Sequence, residues 1–296
     1  MKIFVVGSIN MDLVIKAPVM PDQGVTLTGS NFMMNPGGKG ANQAVSVSKL
    51  GGEAYMVGCV GDAFSKDLIE TLNSYNVKTD FVFKKDNVSS GVAVIVIVNG
   101  DNRIILDAGS NALVDKEAVD EAFKHAQEGD YVISQLEIPQ ETVKYAFEKA
   151  KELKMVTILN PAPAAKLIDG ILNNTDYFIP NENELELYTG IKADTKEKQV
   201  EAIKALNSLG VKNVIVTLGS DGSCTLIDGK YVHVDSYKVK AVDTTAAGDT
   251  FIGALAVELS RGKELTEAMD FASKASSITV TRDGAQKSIP YRNELE

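Results

Sequence analysis

Short runs of β-branched and apolar residues alternate along this chain with longer segments whose apolar positions recur every third or fourth residue. The runs at 3–6, 55–60, 131–134, 156–159, 177–179 and 214–217 predict strands. The segments 66–75, 116–127, 140–153, 196–209 and 265–279 predict helices with one apolar and one charged face. Strand and helix in alternation predict an α/β fold, a doubly wound and mostly parallel sheet flanked by helices.

Two stretches break this pattern. Residues 11–35 have little helical period and are interrupted by Pro18, Pro21 and Gly24, while residues 91–107 read as two strands joined at Asn99-Gly100-Asp101-Asn102. Both predict β-structure inserted into the α/β body. The expected division is a body of residues 1–10, 36–90 and 108–296 and a small β-sheet lid of residues 11–35 and 91–107. In Val92-Ala93-Val94-Ile95-Val96-Ile97-Val98 both faces are apolar, so this strand is expected to be covered on both sides. In a lid, one face would close over a ligand and the other would pack on a second subunit. An interior strand of the main sheet fits the run equally well.

Composition narrows the function. A chain of 296 residues, 44% of them hydrophobic, can bury a sizeable core. Its formal net charge of −10 repels polyanions, which disfavours nucleic acid and anionic membranes as partners. Cys59 and Cys224 lie far apart without a CxxC or a histidine-rich context, and read as two buried reduced thiols. Residues 1–6 are too short an apolar run for a signal-peptide core, and the longest apolar stretch falls far below the ~20 residues a membrane helix needs. A cytoplasmic protein is expected. His125 and His233 have no partner at metal or triad spacing and read as surface residues.

Five places carry candidate chemistry. In Val242-Asp243-Thr244-Thr245-Ala246-Ala247-Gly248-Asp249-Thr250-Phe251 small residues precede an apolar helix, whose first amides would point at an anion. Asp249, in that first turn, could take a proton from an attacking hydroxyl, or could simply be an acid favoured by the helix dipole. In Asn35-Pro36-Gly37-Gly38-Lys39-Gly40-Ala41-Asn42-Gln43-Ala44 the glycines allow close backbone approach, and Lys39 and Asn42 offer donors to a polyol or a phosphate. It is not a Walker A loop, because Met33 and Gly40 stand where that motif needs Gly and Ser or Thr, and it lacks the third glycine of a dinucleotide fingerprint. Asn10 and Asp12 follow the first strand, at the end where open α/β sheets gather ligands, although both residue types also favour turns. Asn181 and Glu184 could meet a nucleotide phosphate and organise magnesium, or could be ordinary helix-start residues. Thr217-Leu218-Gly219-Ser220-Asp221-Gly222 could hold a nucleotide or be a tight turn.

Taken together, these segments resemble the ribokinase (PfkB) family of carbohydrate kinases. The two signatures are Gly37-Gly38-Lys39-Gly40-Ala41-Asn42 and Asp243-Thr244-Thr245-Ala246-Ala247-Gly248-Asp249-Thr250-Phe251. Gly7-Ser8-Ile9-Asn10-Met11-Asp12, Asn160-Pro161-Ala162-Pro163-Ala164, Asn181 with Glu184, and Val280-Thr281-Arg282-Asp283-Gly284-Ala285-Gln286 are most similar to the branch that acts on ribose, rather than on adenosine or fructose. The resemblance implies transfer of the γ-phosphoryl group of ATP to O5 of D-ribose, with Mg2+ and an activating K+, in a homodimer built through the lid. It implies Asp249 as the base and the amides of Ala246, Ala247 and Gly248 as an anion hole. Asn10, Asp12, Gly38, Lys39, Asn42 and Glu137 would grip the sugar, and Asn181, Thr217, Ser220, Gly222 and Ser273 would lie along the nucleotide. Glu184 would support magnesium. Potassium would sit near Asp243, Thr245, Thr279, Gly284 and Ser288. The rival expectations are a kinase for deoxyribose, fructose or adenosine, and a non-catalytic sugar sensor on the same fold.

Overall fold

A computed structural model describes residues 1–99 and 101–295. The chain runs β1 (Lys2–Val6), β2 (Asn10–Lys16), β3 (Ser30–Gly37), α1 (Lys39–Lys49), β4 (Glu53–Val60), α2 (Ser65–Ser74), β5 (Lys78–Lys84), β6 (Gly91–Val98) and β7 (Asp101–Asp107). It continues through α3 (Lys116–Phe123), β8 (Tyr131–Ser134), α4 (Gln140–Glu152), β9 (Val156–Leu159), β10 (Tyr177–Phe178), α5 (Glu182–Thr189), α6 (Lys196–Ser208) and β11 (Asn213–Thr217). It ends with β12 (Ser223–Ile227), β13 (Lys230–Val234), α7 (Ala247–Ser260) and α8 (Leu265–Thr279).

The main sheet has the order β13-β12-β11-β10-β9-β8-β1-β4-β5. Strands β5 to β11 in that order run parallel, and β12 and β13 add an antiparallel hairpin at one edge. Successive side chains of a strand point to opposite faces. On β1, Ile3 and Val5 therefore join a core with α1, α7 and α8, while Phe4 and Val6 join one with α3, α4 and α6. From β1 the chain builds outward first through β4 and β5, then returns to add β8 and its successors on the other side. The carboxyl ends of β1 and β8 thus form a topological switch point, the crevice where open α/β sheets bind ligands.

The inserted segments form a separate sheet of order β3-β2-β6-β7. The apolar run at 92–98 is an interior strand of this small sheet, paired parallel with β2 and antiparallel with β7. It is not covered on both sides within one chain: Val94 is 40% exposed and Ile105 on β7 is 70% exposed. Of the expected hairpin connection Asn99-Gly100-Asp101-Asn102, Gly100 lies outside the described residues. The expected helix at 116–127 closes at Phe123. Cys59 and Cys224 are buried and unpaired, and burial pushes each thiol up to about 11. His125 and His233 are both exposed. Among the described residues no helix is long and apolar enough to cross a membrane.

Candidate functional site

The early glycine segment folds onto the end of β1. Gly38 has φ +89°, and a Cβ there would lie 2.7 Å from the Asn10 nitrogen, so only glycine lets the chain pass this close. The start of α1 is then tied to the switch point. Lys39 N and the Ser8 hydroxyl both donate to Glu137 Oε2, at 3.2 and 2.5 Å, and Gly40 N donates to Ser8 Oγ at 3.2 Å. Glu137, just past β8, is therefore joined to β1 and α1 together. Asn10 and Glu137 line a cavity of ≈ 350 Å³, with Asn111 beside them. Asn111 Nδ2 donates to Asn10 Oδ1 at 2.6 Å, which fixes the Asn10 amide.

Lys39 is surrounded by acids. Burial works against its charge, but Asp249, Glu137, Glu184 and Asp12 outweigh burial and push the ammonium above its ordinary range. Asp12 is the counterpart. Burial first, then Glu137 and Asp249, push its carboxyl up to about 7, against the pull of Lys39. A carboxyl held this high in the folded state and at 3.8 otherwise favours folding below pH 4, and that contribution is lost as pH rises through 7. Asp12→Asn is therefore expected to stabilise the free protein by about 1–3 kcal/mol at pH 8, with the gain shrinking toward pH 4. Urea melts at both pH values would show it, and an equal or lower midpoint at pH 8 would contradict it.

At the other end of the chain, α7 begins from Ala246, a non-glycine residue at φ 61°. This left-handed backbone costs about 1–2 kcal/mol per residue and turns the chain sharply into the helix. The Ala247 amide donates to Thr244 O at 3.2 Å. Among the described residues, no hydrogen bond engages the amides of Ala246 and Gly248, which remain free donors at the helix start. Asp249 is 7% exposed. Its Oδ2 accepts from Asn42 Nδ2 at 3.0 Å and its Oδ1 from Gln43 Nε2 at 2.9 Å. The early glycine segment and the late small-residue segment thus meet.

Ala247 and Gly248 face a second cleft of ≈ 570 Å³, which Thr217, Ser220, Gly222 and Ser273 also line. Asn181 and Glu184 form a reciprocal cap at the start of α5: Glu184 N donates to Asn181 Oδ1 at 2.8 Å, and Asn181 N to Glu184 Oε2 at 2.9 Å. One side of each residue is engaged in this way, leaving Asn181 Nδ2 and Glu184 Oε1. Burial raises the Glu184 carboxyl although Asn181 N and Lys39 oppose it.

Behind the α7 start, Asp243 joins two loops. Its Oδ1 accepts from Thr245 N and Oγ1 at 2.9 and 2.6 Å, and its Oδ2 from Gly284 N at 3.0 Å. Burial disfavours its charge, but these bonds prevail and hold the carboxyl below its usual range. Thr279 Oγ1 lies 3.0 Å from Thr250 Oγ1, and Ser288 Oγ donates to Ala285 O at 2.6 Å. Lys49 Nζ fastens the same region to α1, donating at 2.8 Å to both Gln286 O and Ile289 O. Among the described residues, no group of three or more His, Cys, Asp or Glu could hold a metal ion.

Sequence reasoning missed Ser8, Gln43, Asn111, Gln135 and Asn160. Each is polar and buried, and Gln135 directly follows a parallel strand, which was the usable signal.

The model of the pfkB family of carbohydrate kinases matches residues 1–292. Ribokinase of Schizosaccharomyces pombe is 41% identical over 307 aligned positions, covering 99% of this chain and 96% of its own. Deoxyribokinase of Salmonella typhimurium is 38% identical over 293 positions, covering 98% and 96%. The solved structure of Arabidopsis thaliana ribokinase complexed with ribose and ATP has a TM-score of 0.90 at 33% identity, covering 99% of this chain and 97% of that one.

Proposed function

This chain belongs to the pfkB family of carbohydrate kinases, and from that premise we propose that it transfers the γ-phosphoryl group of ATP to O5 of D-ribose. The observation that carries the reading is Asp249 at an open helix start, bound to α1 and next in the chain to Ala247 and Gly248, which line the larger cleft. Asn10, Asp12, Gly38, Lys39, Asn42 and Glu137 hold the sugar, with the buried and unpartnered Asn42 Oδ1 accepting from a hydroxyl. ATP lies in the larger cleft along Asn181, Thr217, Ser220, Gly222 and Ser273. Asp249 accepts the proton of the attacking hydroxyl, the O5–P bond forms, and the bond from the γ-phosphorus to the bridging oxygen of ADP breaks. Free amides at Ala246 and Gly248, on either side of the turn that Ala246 makes into the helix, meet the charge on the moving group.

The site residues fit magnesium only together with substrate phosphates, since Glu184 offers one free carboxylate oxygen and no group of three or more His, Cys, Asp or Glu among the described residues could hold the ion. Bound there, the ion would neutralise triphosphate charge. The oxygen-rich loops around Asp243, Thr245, Thr279, Gly284 and Ser288 suit potassium, which would stiffen the α7 start from behind. Reliance on ATP supports a reaction inside the cell, and the cytoplasm is the compartment we propose. The apolar lid residues Phe32, Ile104, Ile105 and Leu106, all 47% exposed or more, pack on a second copy in a homodimer. A monomer mass by light scattering at working concentration would remove that dimer.

A panel of D-ribose, 2-deoxy-D-ribose, D-fructose and adenosine, followed by ADP release with and without K+, tests the reading. D-ribose is expected to give the highest kcat/KM, with K+ raising it. The deoxyribokinase relative favours 2-deoxyribose as the second reading, and a higher kcat/KM for that sugar would replace ribose. Binding of ribose without ADP release would leave a sensor.

A further inference from the structure

Asp249 is gripped by two amides from consecutive residues of α1. Residues adjacent in a helix project roughly 100° apart, so Asn42 and Gln43 reach different oxygens of the carboxylate and together stop it turning. Asn42 keeps an unpartnered oxygen for the sugar. Gln43 differs. It has no exposed surface, and protein atoms occupy its whole amide. Its Nε2 donates to Asp249 Oδ1 and, at 3.2 Å, to Asn160 Oδ1, while its Oε1 accepts from Gln135 Nε2 at 2.6 Å. With Oε1 held by a donor, the amide cannot flip. A flip would aim its oxygen at the carboxylate.

Gln135 is fully buried, and its own Oε1 has no partner. A buried acceptor left unpaired destabilises a fold, so simple packing would be better served here by an apolar side chain. The row of amides has a different use. An ionised carboxylate has about four lone-pair sites; Asn42 and Gln43 take two and leave the others for the acceptor hydroxyl.

We infer that Gln43 is a positioning residue for the base, its amide held in the donating orientation by Gln135 and Asn160. The inference rests on the reading of Asp249 as the base. A relay of buried amides, satisfied in sequence, rigidifies the group at its end.

Steady-state kinetics with D-ribose on Gln43→Met, Gln43→Glu, Gln135→Met and Asp249→Asn test it. Gln43→Met is expected to lower kcat about 10–100-fold through misplacement of the base, with both KM values within about threefold. Gln43→Glu sets a second carboxylate beside Asp249, so the acid limb of the kcat/KM profile moves up by about one pH unit or more. Asp12, Lys39, Glu137 and Glu184 also face this site, but they are the same in both proteins, so the displacement belongs to position 43. Gln135→Met removes one orphan acceptor but leaves Gln43 Oε1 without its donor, so it is expected to melt close to wild type while losing about 3–10-fold in kcat as the Gln43 amide gains freedom to flip. If Asp249→Asn is inactive while folded Gln43 variants keep wild-type kcat and acid limb, the positioning role is overturned and the base stands. Should the Gln43 variants not fold, wild-type kcat in Gln135→Met overturns it alone. Normal turnover in Asp249→Asn would remove the base assignment first.

Discussion

Asparagine in place of Asp249 is expected to lower kcat by about 10²–10⁴-fold, the range that a positioned proton acceptor contributes. Affinities for ribose and ATP should stay within a few-fold, because the groups proposed to grip them are untouched. The protein should remain folded. Asn42 and Gln43 donate to different oxygens of Asp249, so the NH2 of asparagine must face one of these donors, which weakens the cluster, but loss of a negative charge near Asp12 and Lys39 has effects of both signs. Turnover and calorimetric ribose binding on the same sample separate chemistry from binding. Near-normal turnover in a folded variant would take the base role away from Asp249.

The second large effect comes from a residue with no side chain. Gly253 sits one turn into α7 from Asp249, where α7 presses against α1. A Cβ at Gly253 would lie 2.4 Å from Ser46 Oγ and 3.0 Å from the Gln43 carbonyl oxygen. Neither neighbour yields easily. The Ser46 hydroxyl donates to Thr250 O at 3.0 Å, and the carbonyl belongs to the backbone of α1. Gly253→Ala must therefore push the helices apart, costing about 1–3 kcal/mol. Since the same helix pair brings Asn42 and Gln43 to Asp249, a shift of about 1 Å is expected to cut kcat up to 10²-fold as well. Adding Ser46→Gly opens the space and should restore part of both losses. Thermal melts and kcat on the single and double variants check this; an unaffected single variant would mean the helices are not in tight contact there.

The amphipathic helices and β-branched strands could be read directly from the chain, because each has one wet face or one short apolar run. The elements that build the site were harder. Helix α1 is buried nearly all round, between sheet and α7, and α7 is buried along almost its whole length. Neither shows the three-and-four periodicity that marks a half-exposed helix. The antiparallel hairpin of β12 and β13 was not read from the chain, since its two strands are only five residues each. Residues proposed to meet a ligand, such as Lys39 and Asn42, were legible by type and spacing beside their glycines. Gln43, Gln135 and Asn111 were not, because they act on other side chains across 92 to 206 residues of chain, a relation that local pattern does not carry. Asn181 and Glu184 were legible as a pair, and the helix-start reading holds: the cap is formed, and one polar atom of each is left over.

The bond from Asn42 to Asp249 spans 207 residues. On a ribosome adding roughly 5–20 residues per second, the N-terminal half would wait on the order of 10–40 s for its partner helix. Throughout that interval Asn42 Nδ2 lacks its partner and Gln43 can bind only Gln135 and Asn160, so an early compact state must keep the Asn42 amide in water or bury it unsatisfied. Assembly of this molecule during synthesis is therefore gated by its last third, and nascent chains halted before α7 would be the ones most in need of a chaperone.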